Sequence, residues 1–339
     1  MLSPTQTLIA QLLDGRPLSR DQASALFKEV VNGQITDVEL ATALTAMKVR
    51  GETIEEITGA ADALRSAAKP YPRPQGNLVD IVGTGGDGAN TFNISTTATF
   101  VAAAAGARVA KHGSRSVSSL SGASDLLSQF GINLTMTPER SAQCLTDLGV
   151  TFLFAPFYHG GMRHAASVRA QLKSRTLFNL LGPLINPARP NQMLLGVYDA
   201  SLVRPIAEVL KGLGIERALV VHGDGLDELA IHGDSLVVEL DHGELTERVI
   251  TPEELGVQRY DLAAIQGGDP AENRAISERL LSGGGSEAQR AAVAVNAGAA
   301  LYLAGKADSL KAGTALALAT MDAGTPMRLI QRFAKESQE

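Results

Sequence analysis

A glycine cluster at 83–88 is the segment of the sequence that most clearly suggests a ligand-binding function. An apolar run, Leu78 to Val82, leads into Gly83-Thr84-Gly85-Gly86-Asp87-Gly88, and a hydroxyl- and amide-rich segment then opens an alanine-rich helix. Glycines let the backbone approach a ligand closely, and a helix start offers unpaired N–H groups to an anion. These features predict a phosphate loop. Asp87 favours a metal-complexed pyrophosphate, because the carboxylate would repel a pyrophosphate with no bridging cation.

Three other interpretations of this loop compete with that one. Gly83, Gly85 and Gly88 satisfy the dinucleotide-binding pattern, which expects an acidic residue about 20 positions further on. That region of this chain, 106–113, is basic. A P-loop is disfavoured because no Gly-Lys-Ser or Gly-Lys-Thr ends the segment. A purely structural glycine turn is the third alternative, and the loop for a metal-complexed pyrophosphate remains the favoured interpretation.

Several strings along the chain closely resemble the anthranilate phosphoribosyltransferase family of the tryptophan pathway. They include Gly-Thr-Gly-Gly-Asp at 83–87, Asn-Ile-Ser-Thr at 93–96 and Lys-His-Gly-x-Arg-x-Val-Ser-Ser at 111–119. The likeness continues through Arg163-His164, Arg169, 175–184, 225–228 and 267–270, so it covers nearly the whole chain in order. It implies transfer of the phosphoribosyl group from 5-phosphoribosyl 1-diphosphate to the amino group of anthranilate. The products would be N-(5-phosphoribosyl)anthranilate and diphosphate, in the second step of tryptophan biosynthesis from chorismate.

The resemblance also implies the residues of the site. Those expected to bind phosphoribosyl diphosphate are Gly83, Gly86, Asp87, Thr91, Asn93, Ile94, Ser95, Thr96, Lys111, His112, Gly113, Ser114, Arg115, Ser116, Val117, Ser118, Ser119 and Ala123. Those expected to bind anthranilate are Gly83, Ser114 and Arg169, and those expected to bind Mg²⁺, at two ions per subunit, are Ser95, Asp227 and Glu228. We assign no general acid or base. An aniline-like nitrogen is nucleophilic when neutral, so positioning and charge stabilisation should dominate.

Structural alternatives remain open for some of these residues. Asn93 or Ser95 alone could simply cap the following helix. His112 is as suited to a structural hydrogen bond as to substrate contact. Adjacent acids such as Asp227 and Glu228 are often solvated, although here they occupy a loop at the carboxyl end of a predicted strand.

Three positions depart from the family pattern. Ser114 stands where the family has an asparagine that contacts anthranilate, and Ala123 stands where it has a phosphate-binding serine, although Ser124 is adjacent. Leu120 stands where a lysine is common. These departures bear on acceptor affinity more than on the diphosphate site.

Composition limits the other classes of function. The 339 residues suggest two domains, and the net charge of −6 is spread over interspersed acids and bases, so neither a nucleic-acid nor a membrane surface is indicated. Cys144 is the single cysteine, which excludes an internal disulfide and fits a reducing compartment. The N-terminus lacks a basic segment followed by an apolar run. We therefore expect a soluble, cytoplasmic protein.

The pattern of predicted secondary structure changes after residue 70. Capping-box pairs predict consecutive helices before it, at Ser19 with Gln22, Thr36 with Glu39 and Thr53 with Glu56. After the proline-rich connector 69–76, short apolar runs alternate with helix patterns, which predicts an α/β fold with a mainly parallel sheet. Ligand loops should then lie at the carboxyl ends of the strands. Segments 234–240 and 245–249 look like a peripheral hairpin.

The expected fold is a small all-helical domain plus a larger α/β domain of the nucleoside phosphorylase/phosphoribosyltransferase kind. The helical domain spans 1–70 with an insertion at about 165–191, residues 71–76 form a hinge, and 77–164 with 192–339 form the phosphoribosyl diphosphate-binding domain. The insertion, and a homodimer formed through the helical domain, are implied by the resemblance alone.

Two other functions fit this fold class. A pyrimidine nucleoside phosphorylase would need a phosphate and pyrimidine signature that is not intact here. A catalytically silent nucleic-acid-binding relative should have lost the glycine loop or the acidic pair and gained a basic groove, and this acidic chain did neither.

Overall fold

The computed structural model describes residues 2–115 and 120–339. Its N-terminal part is helical: α1 (Pro4–Leu13), α2 (Arg20–Val31), α3 (Asp37–Arg50) and α4 (Ile54–Ser66). The three predicted capping boxes are confirmed, because Ser19, Thr36 and Thr53 each accept the N–H of the residue three positions on, whose side chain bonds back. Ser3 and Gln6 start α1 in the same way. Each of these helices thus begins where its own sequence satisfies the first free N–H groups.

The strands of the described residues form one seven-stranded sheet in the order β3-β2-β1-β4-β5-β6-β7. Strands β1 to β5 run parallel, and β6 and β7 add an antiparallel hairpin at one edge. The predicted parallel sheet and peripheral hairpin are therefore confirmed. The strand bounds are β1 (Val79–Gly83), β2 (Val109–Gly113), β3 (Val150–Phe154), β4 (Gln192–Gly196), β5 (Arg217–Gly223), β6 (Ser235–Asp241) and β7 (Glu244–Ile250).

Helices cover both faces of this sheet. They are α5 (Ile94–Ala104), α6 (Ala123–Gln129), α7 (Pro138–Leu148), α8 (Ala155–Tyr158), α9 (Ala166–Leu172), α10 (Phe178–Leu184), α11 (Val203–Gly212), α12 (Pro270–Leu281), α13 (Glu287–Leu303), α14 (Leu310–Asp322) and α15 (Thr325–Glu336). In the part of the chain that the structure describes, no helix is long and apolar enough to cross a membrane.

The two larger of three hydrophobic cores in the described residues lie on opposite faces of the sheet. Successive strand residues point to opposite faces, so Ile81 joins the core under α5 and α13 while Val82 joins the core that contains α1–α4. Segment 165–185 belongs to the second core, where the rings of Phe27 and Phe178 meet edge to face with centroids 5.6 Å apart. This packing supports the proposed insertion into the helical domain.

The connector between α4 and β1 contains no helix or strand. The Lys69 N–H donates to the Tyr158 carbonyl at 2.8 Å, and the Tyr71 ring packs edge to face on Tyr158 with centroids 6.3 Å apart. The proposed hinge segment, 71–76, is therefore fastened at its start to the region after β3.

Candidate active site

The candidate site lies where the carboxyl ends of four neighbouring strands meet. The glycine loop follows β1, segment 114–115 follows β2, Tyr198 follows β4 and the acidic loop follows β5. Because these strands are parallel and adjacent, their carboxyl ends share one edge of the sheet, which is where open α/β sheets bind ligands.

The acidic loop is hydrogen-bonded to the glycine loop and to the start of α5. Asp227 Oδ2 accepts the Gly85 N–H at 2.6 Å. Glu228 Oε1 accepts both the backbone N–H and the hydroxyl of Ser95, at 3.1 and 2.6 Å. The three residues predicted to bind the metal are therefore adjacent in space, although Ser95 lies far from the acids in sequence.

Glycines allow the acidic loop to pack this closely. A Cβ on Gly83 would overlap the Asp227 carboxylate, and a Cβ on Gly196 would overlap the Asp227 backbone carbonyl. A Cβ on Gly223 would overlap the Glu228 carbonyl in the same way. Sequence reasoning missed Gly196 and Gly223, whose only signal is that each ends a strand with a glycine.

The acidic pair is held in an unfavourable environment for its charge. Burial raises the pKa of Asp227, and the neighbouring charges of Glu228 and Asp87 raise it further. Burial also raises the pKa of Glu228 to about 7, against the hydrogen bond from Ser95 and the charge of Lys111, which lower it. Carboxylates crowded in this way favour a cation beside them.

These residues fit a magnesium ion better than a fully enclosed metal. Among residues 2–115 and 120–339, no three His, Cys, Asp or Glu side chains are arranged to hold a metal by themselves. Mg²⁺ does not require such a cage, since it keeps several waters and binds through one or two carboxylates plus substrate phosphates. Two carboxylates and the Ser95 hydroxyl beside a glycine loop match that mode.

The start of α5 is organised by long-range contacts. Asn93 occupies the N-cap position, but its side chain makes no capping bond. Its Nδ2 donates to the Ser121 carbonyl at 3.0 Å, and its Oδ1 accepts from the Ser121 hydroxyl at 3.1 Å and from Asn273 Nδ2 at 2.9 Å. Simple side-chain capping by Asn93 is therefore wrong. Ile94 and Thr96 are buried in the first turn, and Thr91 pairs with Gln266.

The predicted phosphate residues after β2 differ in exposure. Lys111 is buried, with Nζ donating to the Ile81 carbonyl at 2.5 Å, whereas Ser114 and Arg115 are exposed. Gly113 lies beside Ala123, whose methyl carbon would stand 3.1 Å from a Cβ on Gly113. The predicted residues Ser116, Val117, Ser118 and Ser119 lie outside the described part of the chain.

Two contacts of the glycine loop were not anticipated. The Arg175 guanidinium donates to the Gly86 carbonyl and lies 4.1 Å from the centre of the Tyr198 ring. The Thr84 hydroxyl accepts the Tyr198 N–H at 3.1 Å. Asp87 is half-buried and its Oδ1 accepts the Ala89 N–H at 3.1 Å.

The predicted carboxylate anchor, Arg169, is half-buried on α9. Its guanidinium carbon lies 5.3 Å from the centre of the Phe178 ring, and burial lowers its pKa. Within the described residues it has no acidic partner at ion-pair distance. A partly buried guanidinium that has no carboxylate partner among the described residues is suited to binding the carboxylate of a ligand.

Two buried histidines pack together below this region. The Nδ1 atom of His112 lies 3.1 Å from the Gly182 carbonyl, and its ring meets that of His159 edge to face with centroids 5.1 Å apart. Burial lowers the pKa of His112 to about 3 and that of His159 to about 4, so both are neutral at physiological pH. The structural hydrogen bond anticipated for His112 is present, while Nε2 of each ring has no partner in the described part of the protein.

Comparison with known proteins shows which protein family the chain matches. Residues 6–68 match the model of a glycosyl transferase family helical bundle domain, and residues 75–327 match that of the glycosyl transferase family a/b domain. Among curated proteins, the chain is similar to the anthranilate phosphoribosyltransferase of Shewanella baltica. The identity is 58% over 344 residues, which covers 99% of this chain and 96% of that protein.

Solved structures agree with this likeness. The anthranilate phosphoribosyltransferase of Thermus thermophilus has a TM-score of 0.94 at 43% identity, over 98% of this chain and 99% of that one. The Saccharomyces cerevisiae protein in complex with PRPP and Mg has a TM-score of 0.90 at 27% identity, over 98% of both chains. The same yeast protein with 4-fluoroanthranilate scores 0.89 at 26% identity, over 99% of both chains.

Proposed function

We propose a reaction for this chain, which belongs to the anthranilate phosphoribosyltransferase family. It makes N-(5-phosphoribosyl)anthranilate and diphosphate from anthranilate and 5-phosphoribosyl 1-diphosphate. This is the second step of tryptophan biosynthesis from chorismate. The observation that carries the proposal is the contact of Asp227 and Glu228 with the glycine loop and with Ser95. The yeast relative has been solved with PRPP and Mg and with 4-fluoroanthranilate, which supports both substrates.

The first task of the site is to stabilise the leaving diphosphate. Breaking the bond from ribose C1 places negative charge on that group, so N–H donors and cations aimed at it lower the barrier. The N–H groups of Gly86 and Asp87, which the acidic loop does not accept, supply donors, and Arg115 is an exposed cation just after β2. We propose that Ser95, Asp227 and Glu228 hold magnesium, two ions per subunit. When bound, magnesium would supply Lewis-acid neutralisation of the diphosphate charge.

The second task is to position the acceptor amine. We propose that Arg169 binds the anthranilate carboxylate and that Gly83 and Ser114 border the ring and amine. The guanidinium of Arg169 is partly buried and has no carboxylate partner in the described residues, which supports this role. Holding the amine in line with ribose C1 converts a bimolecular reaction into a unimolecular one, so orientation can replace a strong base.

The reaction itself is the test of this function. Anthranilate fluorescence should fall when the protein is mixed with phosphoribosyl diphosphate and magnesium, and one diphosphate should appear for each anthranilate consumed. Uridine or thymidine with inorganic phosphate, offered as the control, should not be consumed. No loss of anthranilate, or phosphorolysis of the nucleosides instead, would contradict the assignment.

We also propose that two copies associate through the outer face of the helical domain. In this region Leu13, Val38 and Val49 are large apolar side chains that are 65%, 75% and 84% exposed. A groove of about 570 Å³ lies between α1 and α3, lined by Leu12, Leu13, Gly15, Ala41, Thr42, Thr45, Ala46, Val49 and Arg50. An exposed apolar patch that repeats on each copy suits a two-fold, self-complementary interface.

A charge placed on this face should separate the copies. The wild-type protein should sediment with twice the mass of the chain, whereas Val49→Glu should shift towards the monomer, because the interface would bury an unpaired carboxylate. Val249→Glu, at a valine that is 57% exposed on β7, is the matched control and should remain dimeric. Sedimentation equilibrium distinguishes the species, and a wild-type monomer at all concentrations would refute the interface.

A further inference from the structure

Strands β1 and β2 pair only at their beginning. β1 is registered with β4 along its whole length, from Val79 with Gln192 to Gly83 with Gly196. Between β1 and β2 the register contains only Val79 with Val109. Beyond this pair the two strands share no regular ladder towards their carboxyl ends, where the glycine loop and the Lys111–Arg115 segment begin.

Buried polar side chains occupy the place of the missing ladder. Asp80 Oδ1 accepts the His112 N–H at 3.3 Å, and Asp80 Oδ2 accepts Asn186 Nδ2 at 2.8 Å. The same Asn186 amide donates to the Ala110 carbonyl at 2.8 Å. Lys111 Nζ donates to the Ile81 carbonyl at 2.5 Å. We call Asp80, Lys111 and Asn186 the polar wedge, since they use backbone groups of both strands that would otherwise pair with each other.

Stability alone does not explain a charged wedge in this position. Asp80 is 0% exposed and Lys111 and Asn186 are each 3% exposed. Burial raises the pKa of Asp80 to about 6 and lowers that of Lys111, while the attraction between the two opposes both shifts. Buried ion pairs are often no more stabilising than apolar residues of the same volume. The arrangement of β1 and β2 that Asp80, Lys111 and Asn186 impose therefore explains these residues more directly than stability does.

We propose that Asp80 is a positioning residue for the transfer reaction, because the polar wedge holds β1 and β2 apart and fixes the separation between the glycine loop and the Lys111–Arg115 segment. The inference rests on the proposed function, in which both segments bind phosphoribosyl diphosphate. Asp80 itself does not contact substrate. Its loss lets the strands close or shift, so the site no longer matches the diphosphate substrate, while the anchor on α9 for the acceptor stays in place.

Asp80→Asn is the decisive variant. The His112 N–H and Asn186 Nδ2 donate to different oxygens of Asp80, so an asparagine, which has one acceptor oxygen and one donor NH2 group there, accepts from one of them and opposes the other. We expect the KM for phosphoribosyl diphosphate to rise about 10-fold or more, and the KM for anthranilate to change less than about 3-fold. Calorimetric titration with phosphoribosyl diphosphate and magnesium, without anthranilate, should show the same weakening.

Two further variants separate positioning from plain stability. Ser141→Ala removes a buried hydroxyl that bonds Thr151 at 2.7 Å between α7 and β3. It should lower Tm and leave both KM values unchanged. Asp80→Asn combined with Asn186→Asp restores one donor–acceptor pair and one negative charge beside Lys111, although it gives up the bond to the Ala110 carbonyl. It should recover part of the lost affinity.

The results for these variants distinguish a positioning role of Asp80 from a purely structural role. If Asp80→Asn lowers Tm with both KM values unchanged, the wedge is structural only and the inference is overturned. If that variant does not fold, Asn186→Ser takes its place, and an unchanged affinity for phosphoribosyl diphosphate overturns the inference equally. A wild-type protein that binds phosphoribosyl diphosphate but does not consume anthranilate would contradict the proposed function instead. The binding titration would still show whether Asp80 affects the affinity for phosphoribosyl diphosphate.

Discussion

Replacing both Asp227 and Glu228 by alanine should lower turnover by about 100-fold or more, the scale seen when one preorganised charge-stabilising group is removed from a transition state. The double variant loses the carboxylates that accept from Gly85 and Ser95. It should also lose its response to magnesium between zero and saturating concentrations. Steady-state rates over a magnesium titration measure both effects.

The fold should survive this change. Burial raises the pKa of Asp227 and raises that of Glu228 to about 7. A carboxyl whose pKa is raised in the folded state makes the fold less stable as the pH rises from the ordinary carboxyl pKa of about 4 to the folded value, and the loss is complete above it. At pH 8 the double variant should therefore melt at the same temperature or higher. Glu244→Ala with Glu247→Ala, on the exposed strand β7, makes the same change in net charge and is the control. If the variant that lacks Asp227 and Glu228 keeps its turnover and its response to magnesium, the assignment of these residues as metal ligands is wrong.

Arg169→Ala should weaken anthranilate binding about 10- to 150-fold, because a hydrogen bond to a charged group contributes roughly 1.5–3 kcal/mol. The apparent affinity for phosphoribosyl diphosphate should change little, since only the proposed carboxylate anchor is removed. Arg169→Lys keeps the charge without the planar fork and should lie between the two. The measurement is the KM for each substrate with the other saturating.

The control for this series is Arg204→Ala, which removes an exposed arginine that pairs with Glu208 within α11. It should leave both KM values as they are in the wild type. Equal losses for both substrates in Arg169→Ala would mean that this arginine shapes the cleft instead of binding the acceptor.

Local sequence patterns predicted the helices and strands well because interactions between neighbouring residues determine where these elements form. The capping boxes at Ser19, Thr36 and Thr53 are closed within four residues, so the chain around them determines the helix start. The alternation of apolar runs with helix patterns likewise predicted a mainly parallel sheet, and the hairpin of β6 and β7 follows from two adjacent segments.

Features set by distant segments were the ones that sequence reasoning missed. Asn93 looks like a helix cap, yet its amide is used by Ser121 and Asn273, which no local pattern predicts. Gly196 matters because the Asp227 backbone crosses it, and that crossing exists only in the folded sheet. Asp80 lies within an apolar run, so its pairing with Asn186 across more than a hundred residues leaves no sequence signal.

The contact between Phe27 and Phe178 also has a consequence for how the chain is made. These rings belong to one core, but Phe178 leaves the ribosome about 150 residues after Phe27, a delay of roughly 8–30 s at about 5–20 residues per second. During that interval the apolar face of α2 lacks the cover that segment 165–185 later provides. The nascent helices are therefore a natural target for a chaperone that binds exposed apolar chain, and residues 1–66 expressed alone should associate or aggregate instead of folding as a separate unit.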